Sequence, residues 1–312
     1  MASDNEASTI ENPRNLHHIL SPANIEDLVR GWIKEDMPSF DYAGIVVGDK
    51  IEEAAIIAKS PGVLSGVPFV ESVFSQLDCK VTWLCKEGEK VKLMSEVARV
   101  KGPAYKLLKG ERIALNVLAR SSGIATHARE LSELAKDLKW AGEIAGTRKT
   151  TPGFRQVEKY SLLVGGVSTH RYDLSSLIML KDNHIWVSGS VSEAIKRARS
   201  VGGFSLKIEV ECRSLAEAEE AILSGAEIVM LDNFEPEALA MASRHLKGVY
   251  PFVTIEASGG IRRDTLAQYC LPSVDVISLS STTQGYASVN YSLKILKEGR
   301  DPLNPKVTAE NI

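Results

Sequence analysis

Residues 146–184 read GTRKTTPGFRQVEKYSLLVGGVSTHRYDLSSLIMLKDNH, and this stretch decides the fold. A strand-like run ends at Arg148 and Lys149. A helix signal follows, with Thr151 as a cap residue and Pro152 at the first helical position. Next come Gly165-Gly166, a loop carrying His170 and Arg171, and an apolar run from Leu177 to Leu180 that stops at Lys181-Asp182-Asn183-His184. The order strand, helix, loop, strand predicts one βα unit. Its cations gather at strand mouths and on the loop between them. Unpaired charge is too costly to bury, so they are not core residues. The cluster predicts an anion site for a substrate with several negative groups.

Outward from this stretch the pattern repeats. Strands are predicted at Glu143–Thr147, Leu177–Lys181, Leu206–Glu211, Ile228–Asp232, Phe252–Ala257 and Val274–Ser280. Helices are predicted between them at Phe154–Val164, Ser192–Ser200, Leu215–Leu223, Pro236–Leu246 and Asp264–Leu271. The strands are continuous apolar runs, which suits a parallel sheet covered on both faces. An α/β barrel is the best reading, and a doubly wound open sheet competes with it. The strands end in Thr147-Arg148-Lys149, Lys181-Asp182-Asn183-His184, Glu209-Val210-Glu211, Leu231-Asp232-Asn233, Glu256–Gly260 and Ser278–Thr283. Barrel enzymes build their sites at the carboxyl ends of strands. Polar ends in succession, carrying both charge signs, point to an enzyme.

The first third is plainer. A polar arm precedes about Ser21, a helix is predicted at Asn24–Glu35, and strands at Ala54–Lys59, Val81–Cys85 and Glu96–Lys101 flank a helix at Val70–Leu77. This predicts a small α+β domain. A long helical zone from Lys109 continues past Ser121-Ser122-Gly123 and holds the domain boundary. Over 312 residues, the 44% hydrophobic content is that of a soluble globular chain with room for two domains. A net charge of -3 gives no general pull toward nucleic acid or anionic membrane. Four cysteines without a C-x-x-C pair argue against zinc and dithiol chemistry and for a reducing compartment. No apolar run is long enough to span a bilayer, and the N-terminus predicts neither a signal nor a transit peptide.

Single residues carry open alternatives. Ser258-Gly259-Gly260-Ile261 is either a tight βα turn or a backbone phosphate cradle, and its setting favours the cradle. Ser280 to Thr283 is either a second donor loop or the capped start of a helix. Glu211 and Asp232 suit ion pairs with Lys149 and Lys181, ribose hydroxyls, or Mg²⁺, since hard cations prefer carboxylate oxygens. Glu209 is expected to point away from Glu211, into a structural contact. His170 and His184 lack transition-metal spacing.

The runs TRKTTPGFRQVEKYSLLVGG, HRYDL, KDNH, EVEC, LDNF and EASGGI, with DYAG at 41–44 and ERIALN at 111–116, strongly resemble the quinolinate phosphoribosyltransferase family over nearly the whole chain. The resemblance implies an N-terminal α/β sandwich over 1–115, rejoined by a C-terminal helix at 286–312, and an open α/β barrel over 116–285 of the type II phosphoribosyltransferase kind. It implies Mg²⁺-dependent joining of quinolinate to phosphoribosyl pyrophosphate, giving nicotinate mononucleotide, pyrophosphate and CO₂ in de novo NAD synthesis. Arg112, Arg148, His170 and Arg171 would surround quinolinate. Lys149 and Lys181 would lie between it and the pyrophosphate. Glu211 and Asp232 would hold the ribose and metal, and Ser258, Gly259 and Gly260 the 5′-phosphate. The family usually has glycine where this chain has Ser280, which weakens that last phosphate assignment. The resemblance also implies a cytoplasmic homodimer, with Arg112 reaching into the neighbouring subunit's site; a homohexamer and a nuclear fraction are compatible. Bidentate arginines suit a dicarboxylate. A monocarboxylate phosphoribosyltransferase has less use for so many cations. A lysine aldolase would need a depressed lysine pKa, which neighbouring carboxylates oppose. A non-catalytic metabolite-binding protein is the third reading.

Overall fold

The computed structural model describes residues 16–299 together with Asp301 and Leu303. Two units divide the chain: one runs to Thr126 and resumes at Ala287, and the other spans His127–Tyr286. Most of the expected polar arm falls outside the described residues.

The first unit opens with α1 (Pro22–Asp36), capped by Ser21 Oγ, which accepts from the Asn24 N–H at 3.4 Å. Then come α2 (Gly44–Val47), β1 (Ile51–Ala58), β2 (Gly62–Val63), α3 (Val67–Gln76), β3 (Lys80–Trp83), β4 (Lys90–Val91), β5 (Ser95–Pro103) and α4 (Ala104–Asp137). A four-stranded antiparallel sheet runs in the order Tyr291–Ile295, β1, β5, β3. The expected C-terminal helix is therefore corrected. Its described residues form the strand Tyr291–Ile295 instead, with Tyr291 and Leu293 buried on alternate positions. That period of two is a strand signature. Residues 304–312 lie outside the described residues.

Helix α4 does not break at Ser121-Ser122-Gly123. Ser122 Oγ accepts from the Ser65 N–H at 3.1 Å and from the Tyr291 hydroxyl at 2.9 Å, so these small residues are packing positions. The first unit ends eleven residues or so beyond the expected 115/116 boundary, at Thr126, inside the helix.

The second unit contains β6 (Glu143–Ala145), α5 (Arg155–Gly165), β7 (Ile178–Leu180), α6 (Asp182–Ser188), α7 (Val191–Gly202), β8 (Ile208–Cys212), α8 (Leu215–Leu223), β9 (Ile228–Asp232), α9 (Pro236–Val249), β10 (Thr254–Ser258), β11 (Val276–Ser278) and α10 (Ser281–Gln284). Its six strands pair in parallel in the order β6-β11-β10-β9-β8-β7. From β7 to β11 each strand neighbours the next in sequence. The first strand then returns beside the last. A doubly wound sheet would instead reverse its order at a switch point. The sheet therefore curls into a barrel, left open between β6 and β7, where a single bridge joins Ala145 and Ser168. Val210, Val229, Leu231, Ile255 and Ile277 are fully buried, which explains the unbroken apolar runs.

Three local expectations change. Helix α5 starts at Arg155, not at Pro152; Thr151 does not cap it, but donates its N–H to Glu158 at 3.1 Å. The helix predicted at Asp264–Leu271 shrinks to a 3₁₀ turn at Leu266–Gln268. A helix absent from the prediction, α6, begins immediately after Lys181.

Candidate active site

An open cavity of about 870 Å³ lies at the carboxyl ends of the barrel strands. Its wall brings together Arg148 and Lys149 after β6, His170 and Arg171 on the α5–β7 loop, and Lys181 after β7. Glu211 on β8, Asp232 on β9, Ser258-Gly259-Gly260 on and after β10, and Ser280 after β11 also line it, and so does Arg262, which the sequence reading did not single out. Residues spread over more than a hundred positions thus meet in one place. Arg112 belongs to the first unit, where it is exposed on α4. His184 does not line the cavity; its Nδ1 accepts from the Lys181 N–H at 3.1 Å and fastens the start of α6.

The cations on one side repel each other. Arg171 is held below the usual guanidinium range, first by burial and then by the charge of Arg148, with Glu209 and Glu256 pulling the other way. A bound polyanion would relieve that repulsion. Lys149 is fixed through its backbone, whose carbonyl accepts from Thr283 Oγ1 at 2.7 Å. Lys181 is ion-paired with Glu211, one of the partnerships expected for that carboxylate. The Asp232 carboxyl is pushed up by burial and next by the charge of Glu211. Both carboxylates line the cavity, and hard carboxylate oxygens are the ligands that Mg²⁺ prefers.

Beneath the cations lies a buried acid pair. Glu209 is fully buried and Glu256 nearly so, and both approach His170 Nε2, at 3.6 Å and 2.9 Å. Glu209 therefore does not point away from Glu211. Residues two apart on a strand share a face, so both look into the barrel. Burial, and then the Glu256 charge, push the Glu209 carboxyl well above the usual carboxylate range, so the acid pair favours keeping a proton. Burial disfavours a charged His170, but the hydrogen bond and charge of Glu256, with Glu209, outweigh it and raise its pKa. Against this, His170 Nδ1 accepts the Arg171 N–H at 2.6 Å. A doubly protonated ring would set N–H against N–H there, so the contact decides for the neutral ring with its hydrogen on Nε2. Both ring nitrogens are then occupied within the protein. His170 lines the cavity as a brace between the acid pair and the Arg171 backbone. His170, Glu209 and Glu256 also bring ligand atoms within 4.8 Å of one another, a grouping that sequence spacing did not reveal.

The glycine turn is demanding. Gly259 has φ +98, and a Cβ there would lie 2.3 Å from Asn233 Oδ1 and 2.7 Å from Asn233 N. Only glycine fits such a backbone at such close approach. Ser258 Oγ accepts from Ser278 Oγ at 3.0 Å, tying β10 to β11. Ser280 has φ -72, an ordinary right-handed conformation, so the backbone at this position does not itself require glycine.

Comparison with known proteins agrees along the chain. Residues 41–122 match the model of the quinolinate phosphoribosyl transferase N-terminal domain, and residues 124–294 match that of the C-terminal domain. The chain is 50% identical over 291 residues to a rat protein named nicotinate-nucleotide pyrophosphorylase [carboxylating], covering 93% of this chain and 97% of that one. The human protein of that name is also 50% identical, over 289 residues, with the same coverage. Among solved structures, the nicotinate-nucleotide pyrophosphorylase from Francisella tularensis superposes with a TM-score of 0.82 at 31% identity, covering 89% of this chain and 98% of that one.

Proposed function

The chain belongs to the quinolinate phosphoribosyl transferase family, and from that premise we propose how its barrel mouth carries out the family's reaction. The reaction joins quinolinate to phosphoribosyl pyrophosphate with loss of CO₂, a step of NAD biosynthesis. The observation that carries the reading is the convergence of Arg148, Lys149, Arg171 and Lys181 on a cavity whose other wall holds Glu211, Asp232 and the Ser258–Gly260 turn.

Quinolinate brings two carboxylates to the cationic side. Arg148 and Arg171 offer planar forks that match them. Lys149 and Lys181 lie where the leaving pyrophosphate gathers charge. Glu211 and Asp232 accept from the ribose hydroxyls, and the backbone N–H groups at Gly259 and Gly260 meet the 5′-phosphate. The pyridine nitrogen forms a bond to ribose C1 as the C1–O bond to pyrophosphate breaks. Preorganised cations favour this transition state because negative charge grows on the departing oxygens. The ring is then a pyridinium. The bond from C2 to its carboxylate breaks, the electron pair stays at C2 beside the positive nitrogen, and a proton takes the place of CO₂. The substrate is its own electron sink, so no organic cofactor is needed. Mg²⁺ fits the carboxylates of Glu211 and Asp232, and when bound it would neutralise pyrophosphate charge.

The assembly we propose is a homodimer with shared sites, Arg112 acting on the partner's quinolinate; larger assemblies and a cytoplasmic location accord with this reading. No helix among the described residues is long and apolar enough to cross a membrane. Mixing inactive Arg112→Ala and Lys149→Ala proteins with subunit exchange should restore about one quarter of wild-type activity, because each mixed dimer keeps one intact site of two. Exchange without recovery would confine Arg112 to its own chain.

The reaction itself is tested with quinolinate labelled in the 2-carboxylate, phosphoribosyl pyrophosphate and Mg²⁺. Labelled CO₂ should appear only with all three, matched by nicotinate mononucleotide. Tight quinolinate binding without turnover would instead support a metabolite-binding protein.

A further inference from the structure

Helix α5 carries an ammonium where a core residue is expected. Lys159 is 2% exposed, between the buried Val157 and Leu162. Its Nζ donates to the carbonyl of Thr169 and, at 3.1 Å, to that of Arg171. These carbonyls bracket His170, whose φ of +55 lies in the left-handed region that non-glycine residues rarely adopt. The carbonyls of this half-buried turn need donors, and Lys159 supplies one to each. It does not line the cavity and stands behind its wall.

The charged groups around Lys159 make the cation hard to keep. On its own helix it faces Arg155 and Glu158, on the loop Arg171 and across the entrance Arg148. Burial, then the three guanidiniums, lower its pKa to about 8, and only Glu158 opposes them. An apolar residue would fill the same core space without this cost. The ammonium has one evident use here, the two carbonyls.

We propose that Lys159 is a positioning residue for substrate recognition: it clamps the Thr169–Arg171 turn from behind and so sets where the Arg171 guanidinium meets quinolinate. Besides the Lys159 clamp on its carbonyls, the turn is held by the His170 ring against Glu256, by the Thr169 hydroxyl, which donates to the His170 carbonyl at 2.8 Å, and by the Arg171 N–H on His170 Nδ1. Removing the clamp loosens the carbonyls of Thr169 and Arg171 while the contacts of His170 remain. This inference rests on the proposed reading of the cavity.

The test is Lys159→Met, which keeps length and burial and removes the donors. The KM for quinolinate should rise roughly 10- to 100-fold, the loss expected when a binding group shifts by about 1 Å. The KM for phosphoribosyl pyrophosphate should stay within about twofold, because uniform damage would move both constants. Amide hydrogen exchange should accelerate at residues 168–172 and stay unchanged along α5. Lys159→Gln, which keeps an uncharged NH₂ donor on a shorter side chain, should lie between wild type and Lys159→Met, and it stands in if the methionine variant does not fold. An unchanged quinolinate KM, equal loss for both substrates, or failure of both variants to fold would each overturn the proposal. Wild-type protein that does not turn over quinolinate would remove the reading of the cavity itself; normal wild-type turnover with an unaltered variant would remove the clamp alone.

Discussion

Around the exits of β6 and β7 the cavity wall is cationic, with Arg148, Lys149, Arg171 and Lys181; from β8 to β11 it carries the acids Glu211 and Asp232, then a serine–glycine turn with Arg262 just beyond it. The two sides are also held differently. The cationic side is braced from below, by Glu256 on His170 and by Lys159 on the loop carbonyls. The far side is fixed by backbone geometry, with Gly259 in close approach to Asn233. Lys181 and Glu211 form an ion pair at the seam. A site that must hold a dicarboxylate, a ribose and phosphates side by side needs both plans. Like charges gathered in one place must be supported until the anion arrives, while a backbone cradle needs only the right φ and no side chain in the way.

The largest break in this division should come from its cationic side. On the proposed reading Lys149→Ala removes charge beside the growing negative charge of pyrophosphate, and kcat should fall roughly 100- to 1000-fold, as when one preorganised donor is lost. Steady-state rates at saturating substrates measure it, and a kcat within a few-fold of wild type would remove Lys149 from the leaving-group end.

A smaller effect is expected at the cradle. Gly259→Ala forces a Cβ against Asn233 at a left-handed φ. Stability should fall by about 1–3 kcal/mol, readable in thermal unfolding. The KM for phosphoribosyl pyrophosphate should rise while quinolinate binding is kept, and equal losses for both would blur the two sides.

The last effect concerns the floor and is read in the pH dependence of unfolding. The Glu209 carboxyl is raised well above its ordinary value of 4.5. The folded state then binds more protons than the unfolded state between its ordinary and raised values. Stability should therefore be full below about pH 4.5, decline as pH rises through that interval, and level off above it, when this group alone is followed. Glu209→Gln should remove that part of the slope, and an unchanged pH profile of unfolding would show that the acid pair holds no extra proton.

The barrel was legible because its strands are buried on both faces, so Ile228–Asp232 reads as an apolar run and forms β9 over those same residues. The site was legible at strand ends, since polar residues such as Lys181 and Asp232 stop apolar runs abruptly. Supports were not legible. Glu209 and Glu256 are acids inside a barrel, and Lys159 sits in a helix that otherwise reads as amphipathic; only the folded chain brings them to His170 and its loop. The strand Tyr291–Ile295 was missed because five residues joining a distant sheet carry little local signal, although Tyr291 and Leu293 alternate with polar neighbours. The helix start at Arg155 was misplaced because Thr151-Pro152 imitates a capped start, whereas Gly153, at φ +76, makes it a turn.

The division of labour is tested most directly by a crossed titration of two variants against both substrates. Arg171→Lys replaces a planar fork with a point charge, and Asp232→Asn keeps shape while removing charge. Binding measured by calorimetry should show Arg171→Lys losing quinolinate affinity roughly tenfold, about the worth of one good charged contact, with phosphoribosyl pyrophosphate affinity kept. Asp232→Asn should show the reverse, with weaker Mg²⁺-dependent phosphoribosyl pyrophosphate binding and unchanged quinolinate affinity. Parallel losses of both ligands in both variants would contradict the account, because the cavity wall would then act as one undivided site.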